Sequence, residues 1–144
     1  MTATLHETTS TAFTAPMCWR RTFPGRPDQA RLVRRFVAFL LEDCRHVDDA
    51  VQAVAELAGN ALIHTRSGRP GGTFVVEVRH GDGCLAVSVT DQGGSLEDSG
   101  PHRKRHDDDL AENGRGLPIV ADLATHVRWT GDPEHGHTVT AVFT

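Results

Sequence analysis

The sequence predicts an α+β fold, a two-layer sandwich in which a mixed or antiparallel sheet carries helices on one face. Three observations predict it. Apolar residues recur at helical spacing through 30–44 and again through 47–62. Two later stretches, 73–79 and 85–90, alternate apolar and outward-reading residues on either side of the turn HGDG. In chain order the segments read β-α-α-β-β-loop-α-β-β, the order of an α+β domain.

Each element follows from its residues. MTATLHETTSTAFTAP, residues 1–16, is rich in Thr and Ala and reads as a disordered N-terminal tail. Residues 17–144 form one domain, a size that buries a core able to fold alone. Cys18 to Phe23 reads as a short strand closed by the turn PGRP. From Asp28 to about Arg45, Ala30, Val33, Val37, Leu40, Leu41 and Cys44 make one apolar face, with Arg31, Arg34, Arg35 and Glu42 opposite. Asp48 is the expected N-cap of the next helix, and Asp49 suits the positive end of its dipole. RSGRPGG then breaks that helix. Phe74, Val76 and Val78, then Leu85, Val87 and Val89, give the inner faces of two strands. Residues 94–115 are too long for an ordinary connection and read as a lid. From Gly116, LPIVADLA predicts a short helix that tolerates Pro118 in its first turn. Val127 to Thr130 and Thr138 to Phe143 make a closing hairpin around GDPEHGH.

Composition narrows the function. The net charge is −4, so no overall basic field grips nucleic acid. Cys18, Cys44 and Cys84 are an odd set without C-x-x-C spacing, which argues against a disulfide framework and fits a reducing cytoplasm. No apolar run approaches the ~20 residues that cross a membrane, and the N-terminus lacks the regions of a signal peptide.

Three motifs carry chemistry. In ELAGNALIHT, Glu56, Asn60 and His64 fall four residues apart, so they form a polar ridge drifting by about 40° per step along a helix. Gly59 lies within that helix, where glycine costs roughly 1 kcal/mol against alanine, and so marks close packing or a close ligand. Asp91-Gln92-Gly93-Gly94 follows a strand directly. An Asp there can accept from an amino group while glycine lets the backbone pass close to a flat ligand. Gly114-Arg115-Gly116-Leu117 opens a helix, and free N–H groups at a helix start, with glycines allowing approach, can cradle phosphate. Each motif alone has a plain structural reading: a solvated helix face, an Asp-Gly turn, a loop.

As an ordered set they resemble the Bergerat ATP-binding fold of gyrase B, Hsp90, histidine kinases and the anti-sigma factor serine kinases (GHKL). ELAGNALIH is similar to the N box, DQGG to the first glycine box, GRGL to the second, and GHTVTAVF to the closing strand. Compact length and the wording ELxxNAxxH and GRGLxIV resemble most the anti-sigma factor kinase-like proteins of actinobacterial type. The resemblance implies a function for each residue. Asn60 would hold Mg²⁺ and, through it, the ATP phosphates. Glu56 would be the general base, orienting or deprotonating a protein hydroxyl or a water. Asp91 would accept from the adenine amino group, and Gly93 would give the ring room. Gly114, Arg115, Gly116 and Leu117 would close over the phosphates, and Thr138 would sit near the adenine edge. His64, at the helix end, either approaches the phosphates or caps the last carbonyls. The sequence departs from the pattern at Ser95, where a further glycine is usual, and in the charged run HRKRHDDD at 102–109. His102 and His106 in that run read as solvated rather than metal-binding.

The resemblance implies a cytoplasmic serine/threonine protein kinase that regulates transcription as an anti-sigma factor. Its partners would be an anti-anti-sigma (STAS-type) protein, a sigma factor, or both, with a homodimer as a further option. The competing reading is an ATP-gated interaction module without kinase turnover. Glu56 favours the kinase, since a pure binder needs no carboxylate there. A histidine-kinase core is disfavoured because no dimerisation helix with a phosphoacceptor His precedes the domain, and a gyrase- or Hsp90-like ATPase by the lack of a transducer domain.

Overall fold

The computed structural model describes residues 17–81, 83–94 and 116–144. These form five strands and three α-helices: β1 (Met17–Pro24), α1 (Gln29–Leu40), α2 (Val47–His64), β2 (Thr73–Gly81), β3 (Cys84–Thr90), α3 (Gly116–Leu123), β4 (His126–Asp132) and β5 (Gly136–Phe143). A single 3₁₀ turn, Arg66–Gly68, follows α2. The predicted tail 1–16, most of the predicted lid and the charged run 102–109 lie outside the described residues.

The sheet order is β1-β2-β3-β5-β4, and every neighbouring pair is antiparallel. The expected α+β sandwich is therefore present in its antiparallel form. Trp19↔Val78, Val78↔Val87 and Val87↔Ala141 set the register of one continuous rung. On the inner face Phe23, Phe74, Val76, Val78, Leu85, Val87, Val89, Ala141 and Phe143 meet Val33 and Val37 of α1, Ala50, Val54, Leu57, Ala58 and Ala61 of α2, and Val120 of α3. Phe23 and Phe74 stack at 5.6 Å between ring centres. Each such buried ring contributes about 1.5–3 kcal/mol. On the opposite face a small cluster of Cys84, Ala86 and Val142 is also buried.

Two helix boundaries differ from expectation. The first helix ends at Leu40 rather than near Arg45, yet Leu41 remains buried. The chain turns at Leu41, and the Cys44 N–H donates to the Leu41 carbonyl at 2.8 Å. Glu42 and Asp43 would lie at the negative end of a longer helix, which disfavours its extension. The second helix starts at Val47, so His46 is its N-cap residue and Asp48 and Asp49 occupy the first turn. Asp48 is not the cap; both carboxylates instead face the positive end of the dipole. The middle strands and helices match the expected segments to within a residue or two. Among the described residues no helix is long and apolar enough to cross a membrane.

Candidate nucleotide-binding site

Helix α2 packs against α1 and α3 and over β3, and the chain just past its C-terminal end is bonded to the loop that follows β3. Glu56, Asn60 and His64 are all half-buried. None of the three side chains forms a hydrogen bond or ion pair with the described residues, so all three present polar side-chain atoms unengaged by them. The end of α2 is closed by Thr65, not by His64. The Thr65 hydroxyl donates to the Ala61 carbonyl at 2.6 Å and accepts the Ser67 N–H at 3.1 Å. Gly59 has open space where a Cβ would stand, with nothing within 4 Å among the described residues. Close packing therefore does not explain this glycine.

Asp91 follows β3 directly. Its Oδ1 accepts the Gly93 N–H at 2.7 Å and the His137 N–H at 3.1 Å, while its own N–H donates to the His137 carbonyl at 2.9 Å. Its Oδ2 makes no hydrogen bond among the described residues. A carboxylate held through one oxygen leaves the other free to accept one more donor. Thr138, beside His137, shares a 2.8 Å hydroxyl–hydroxyl hydrogen bond with Thr90, its partner on the neighbouring strand.

Gly93 and Gly94 both adopt left-handed backbone, φ +72° and +70°. Besides the expected room for a flat ring, the backbone gives Gly93 a reason of its own. A Cβ there would meet Gly136 N at 2.7 Å and Pro133 O at 2.8 Å, so the glycine makes way for the β4–β5 turn. The loop is tied to that turn and to the end of α2 by Arg66, which the sequence reading passed over as part of a helix breaker. The Arg66 N–H donates to the Gly93 carbonyl at 2.8 Å. Its guanidinium donates to the carbonyls of Gln92 at 3.1 Å, Gly93 at 3.3 Å and Glu134 at 2.5 Å. Fully buried Ser67 accepts the Gln92 N–H at 2.9 Å, and the Gln92 side chain accepts the Thr73 N–H at 3.0 Å. No local pattern announces these contacts, because they join residues 19–68 positions apart.

The second glycine motif is only partly visible. Gly114 and Arg115 lie outside the described residues, whereas Gly116 opens α3 and Leu117 is half-buried against the core. Helix α3 packs along α2. The motifs on α2, after β3 and at the start of α3 thus occupy adjoining elements.

Among the described residues no group of three or more His, Cys, Asp and Glu side chains could hold a metal. Asn60 offers one amide oxygen. Such a donor fits Mg²⁺, which retains waters and is bound through few protein ligands plus substrate phosphates, and does not fit an ion caged by protein alone.

Residues 23–143 match the family described as histidine kinase-like ATPase domain (HATPase_c_2). An anti-sigma F factor of Clostridium botulinum (strain Eklund 17B / Type B) is 32% identical over 66 residues, 46% of this chain and 46% of that protein. The chain thus matches about half the length of that curated relative. Among solved structures, the RsbU and RsbW domains of Rv1364c from Mycobacterium tuberculosis superpose with a TM-score of 0.63 at 20% identity, over 89% of this chain and 32% of that one. The SiaB–SiaC complex from Pseudomonas aeruginosa superposes with a TM-score of 0.61 at 13% identity, over 96% of this chain and 95% of that one. At these identities the two structures speak for the fold alone.

Proposed function

Since the chain belongs to the histidine kinase-like ATPase domain family, we propose that it is an ATP-binding regulatory protein that phosphorylates a serine or threonine of a small partner in the cytoplasm. The observation that carries this reading is the pairing, on α2, of Glu56 and Asn60 side chains without a partner among the described residues with an Asp91 carboxylate that those residues hold through Oδ1 alone. The anti-sigma F factor similarity supports an anti-anti-sigma protein as the phosphoacceptor and a sigma factor as the second partner. Three free cysteines support a reducing compartment.

In this reading Asp91 Oδ2 accepts from the exocyclic amino group of adenine, and Thr138 borders the same edge. Asn60 would hold Mg²⁺, and that ion would supply charge neutralisation for the phosphates. Glu56 stands one helical turn from Asn60 and aligns the incoming hydroxyl. The hydroxyl oxygen bonds to the γ-phosphorus, the bond to the ADP oxygen breaks, and the hydroxyl proton passes to the Glu56 carboxylate. Gly114, Arg115 and Gly116 would close over the phosphates, as the second glycine motif implies. Positioning and charge neutralisation are the main demands of phosphoryl transfer, and this residue set addresses both.

The test combines calorimetric titration with Mg-ATP and transfer from radiolabelled ATP to candidate partners. Glu56→Gln is expected to keep ATP affinity and slow transfer by a factor on the order of 10²–10⁴. Asn60→Ala is expected to weaken both. Equal labelling by wild type and Glu56→Gln removes Glu56 from the mechanism. Nucleotide-dependent partner binding without labelling replaces the kinase by an ATP-gated interaction module.

A further inference from the structure

Arg66 is an unusual arginine. Its guanidinium donates only to main-chain carbonyls, those of Gln92, Gly93 and Glu134, and it forms no ion pair among the described residues. Its stem and Nε lie where a Cβ on Gly94 would stand, at 2.6–2.8 Å. The Asp91–Gly94 loop is therefore threaded between two surfaces, the Arg66 side chain at Gly94 and the β4–β5 turn at Gly93. Two consecutive glycines in left-handed backbone have little stiffness of their own, so the position of this loop is set from outside. Arg66 joins both surfaces, because the Nη2 that binds the loop at Gln92 also binds the turn at Glu134.

Asp91 depends on how that loop sits against the turn. One N–H on its Oδ1 comes from Gly93 of the loop and the other from His137, just past the turn. If loop and turn shift relative to one another, Oδ1 loses one donor or the other and the carboxylate is free to rotate. We propose that Arg66 is a positioning residue for base recognition: by locking the loop to the turn it fixes Asp91 Oδ2, and the site thereby selects a 6-amino purine over a 6-oxo purine. This rests on the reading above in which Asp91 faces the nucleobase. Lysine cannot substitute, since a single ammonium lacks the planar fork that reaches three carbonyls at once.

A residue that merely holds the fold together weakens all nucleotides alike, so the readout is a ratio. Dissociation constants for Mg-ATP and for Mg-ITP, which carries a 6-oxo group, are measured by calorimetry on wild type, Arg66→Ala and Arg66→Lys. Val33→Ala, a core truncation away from the loop, serves as a control for lost stability. Wild type is expected to prefer ATP by about tenfold or more, the worth of one well-placed hydrogen bond to a charged acceptor. Both Arg66 variants are expected to bring that ratio below about threefold while ITP affinity changes little, and Val33→Ala to leave the ratio intact. Arg66→Lys retains the stem and the charge, which keeps the test decisive if Arg66→Ala does not fold. An unchanged ratio in Arg66→Lys, or equal losses for both nucleotides, overturns the role of Arg66 and leaves ATP binding standing. Absence of ATP binding by wild type overturns the nucleotide reading itself, and this inference with it.

Discussion

Gly59 and Gly93 flank the candidate site for opposite reasons. Gly93 is demanded by its own backbone: φ is +72° and a side chain would collide with the β4–β5 turn at 2.7–2.8 Å. Alanine there faces the left-handed penalty of about 1–2 kcal/mol and an overpacking penalty of similar size. Gly93→Ala is therefore expected to lower stability by at least about 2 kcal/mol, read from the denaturant midpoint. Gly59 has nothing in front of it. Gly59→Ala is expected to raise the stability of the nucleotide-free protein by roughly 1 kcal/mol and to weaken ATP binding if the space is where the ligand passes. A rise in stability with unchanged ATP affinity would leave Gly59 without a role in binding. From sequence both glycines were visible, but the backbone in front of Gly93 was not, because it comes from about 40 residues away and no local pattern encodes it.

Among the elements, the β4–β5 turn has the most influence for its length. Asp132 Oδ1 accepts the N–H groups of Glu134 and His135 at 2.9 and 2.8 Å, and the His135 ring lies at the same oxygen. The His135 N–H, then its imidazole, hold the Asp132 carboxyl below its ordinary value of 3.8. A carboxyl lowered by folding adds stability that is present above its unfolded value and lost as the pH falls through the folded one. Asp132→Asn is thus expected to lower stability near neutral pH and to narrow its gap to wild type as the pH drops below 3.8, measured by urea midpoints across the acid range. A gap independent of pH would mean that the ionised form is not what orders the turn. Element limits were legible where pairing or capping is local and blurred where it is not. Periodicity ran past the end of α1 because Leu41 stays in the core after the helix has stopped. Arg66 looked like punctuation in RSGRPGG, since its partners Gln92, Gly93 and Glu134 are brought near only by the completed sheet.

At the scale of the whole molecule, the fold class was legible because alternation in β2 and β3 and the stripe on α2 each point to one buried face. The strand order was not, since β5 follows β4 in the chain yet lies between β3 and β4. That placement bears on biosynthesis. A ribosome delivers β5 after every element it joins, so while β4 is emerging, β3 presents an open edge and β4 has no partner at all. Open edges of apolar strands invite pairing with other chains. A chain stopped after His135 lacks an interior strand rather than a rim. It is expected to aggregate and to lose cooperative unfolding, as light scattering and urea titration would register, whereas a soluble, cooperatively unfolding fragment would show that four strands suffice. Nascent chains are accordingly most vulnerable after β4 has emerged and before β5 has, when most of the hydrophobic surface of these strands exists and the strand that joins β3 to β4 does not.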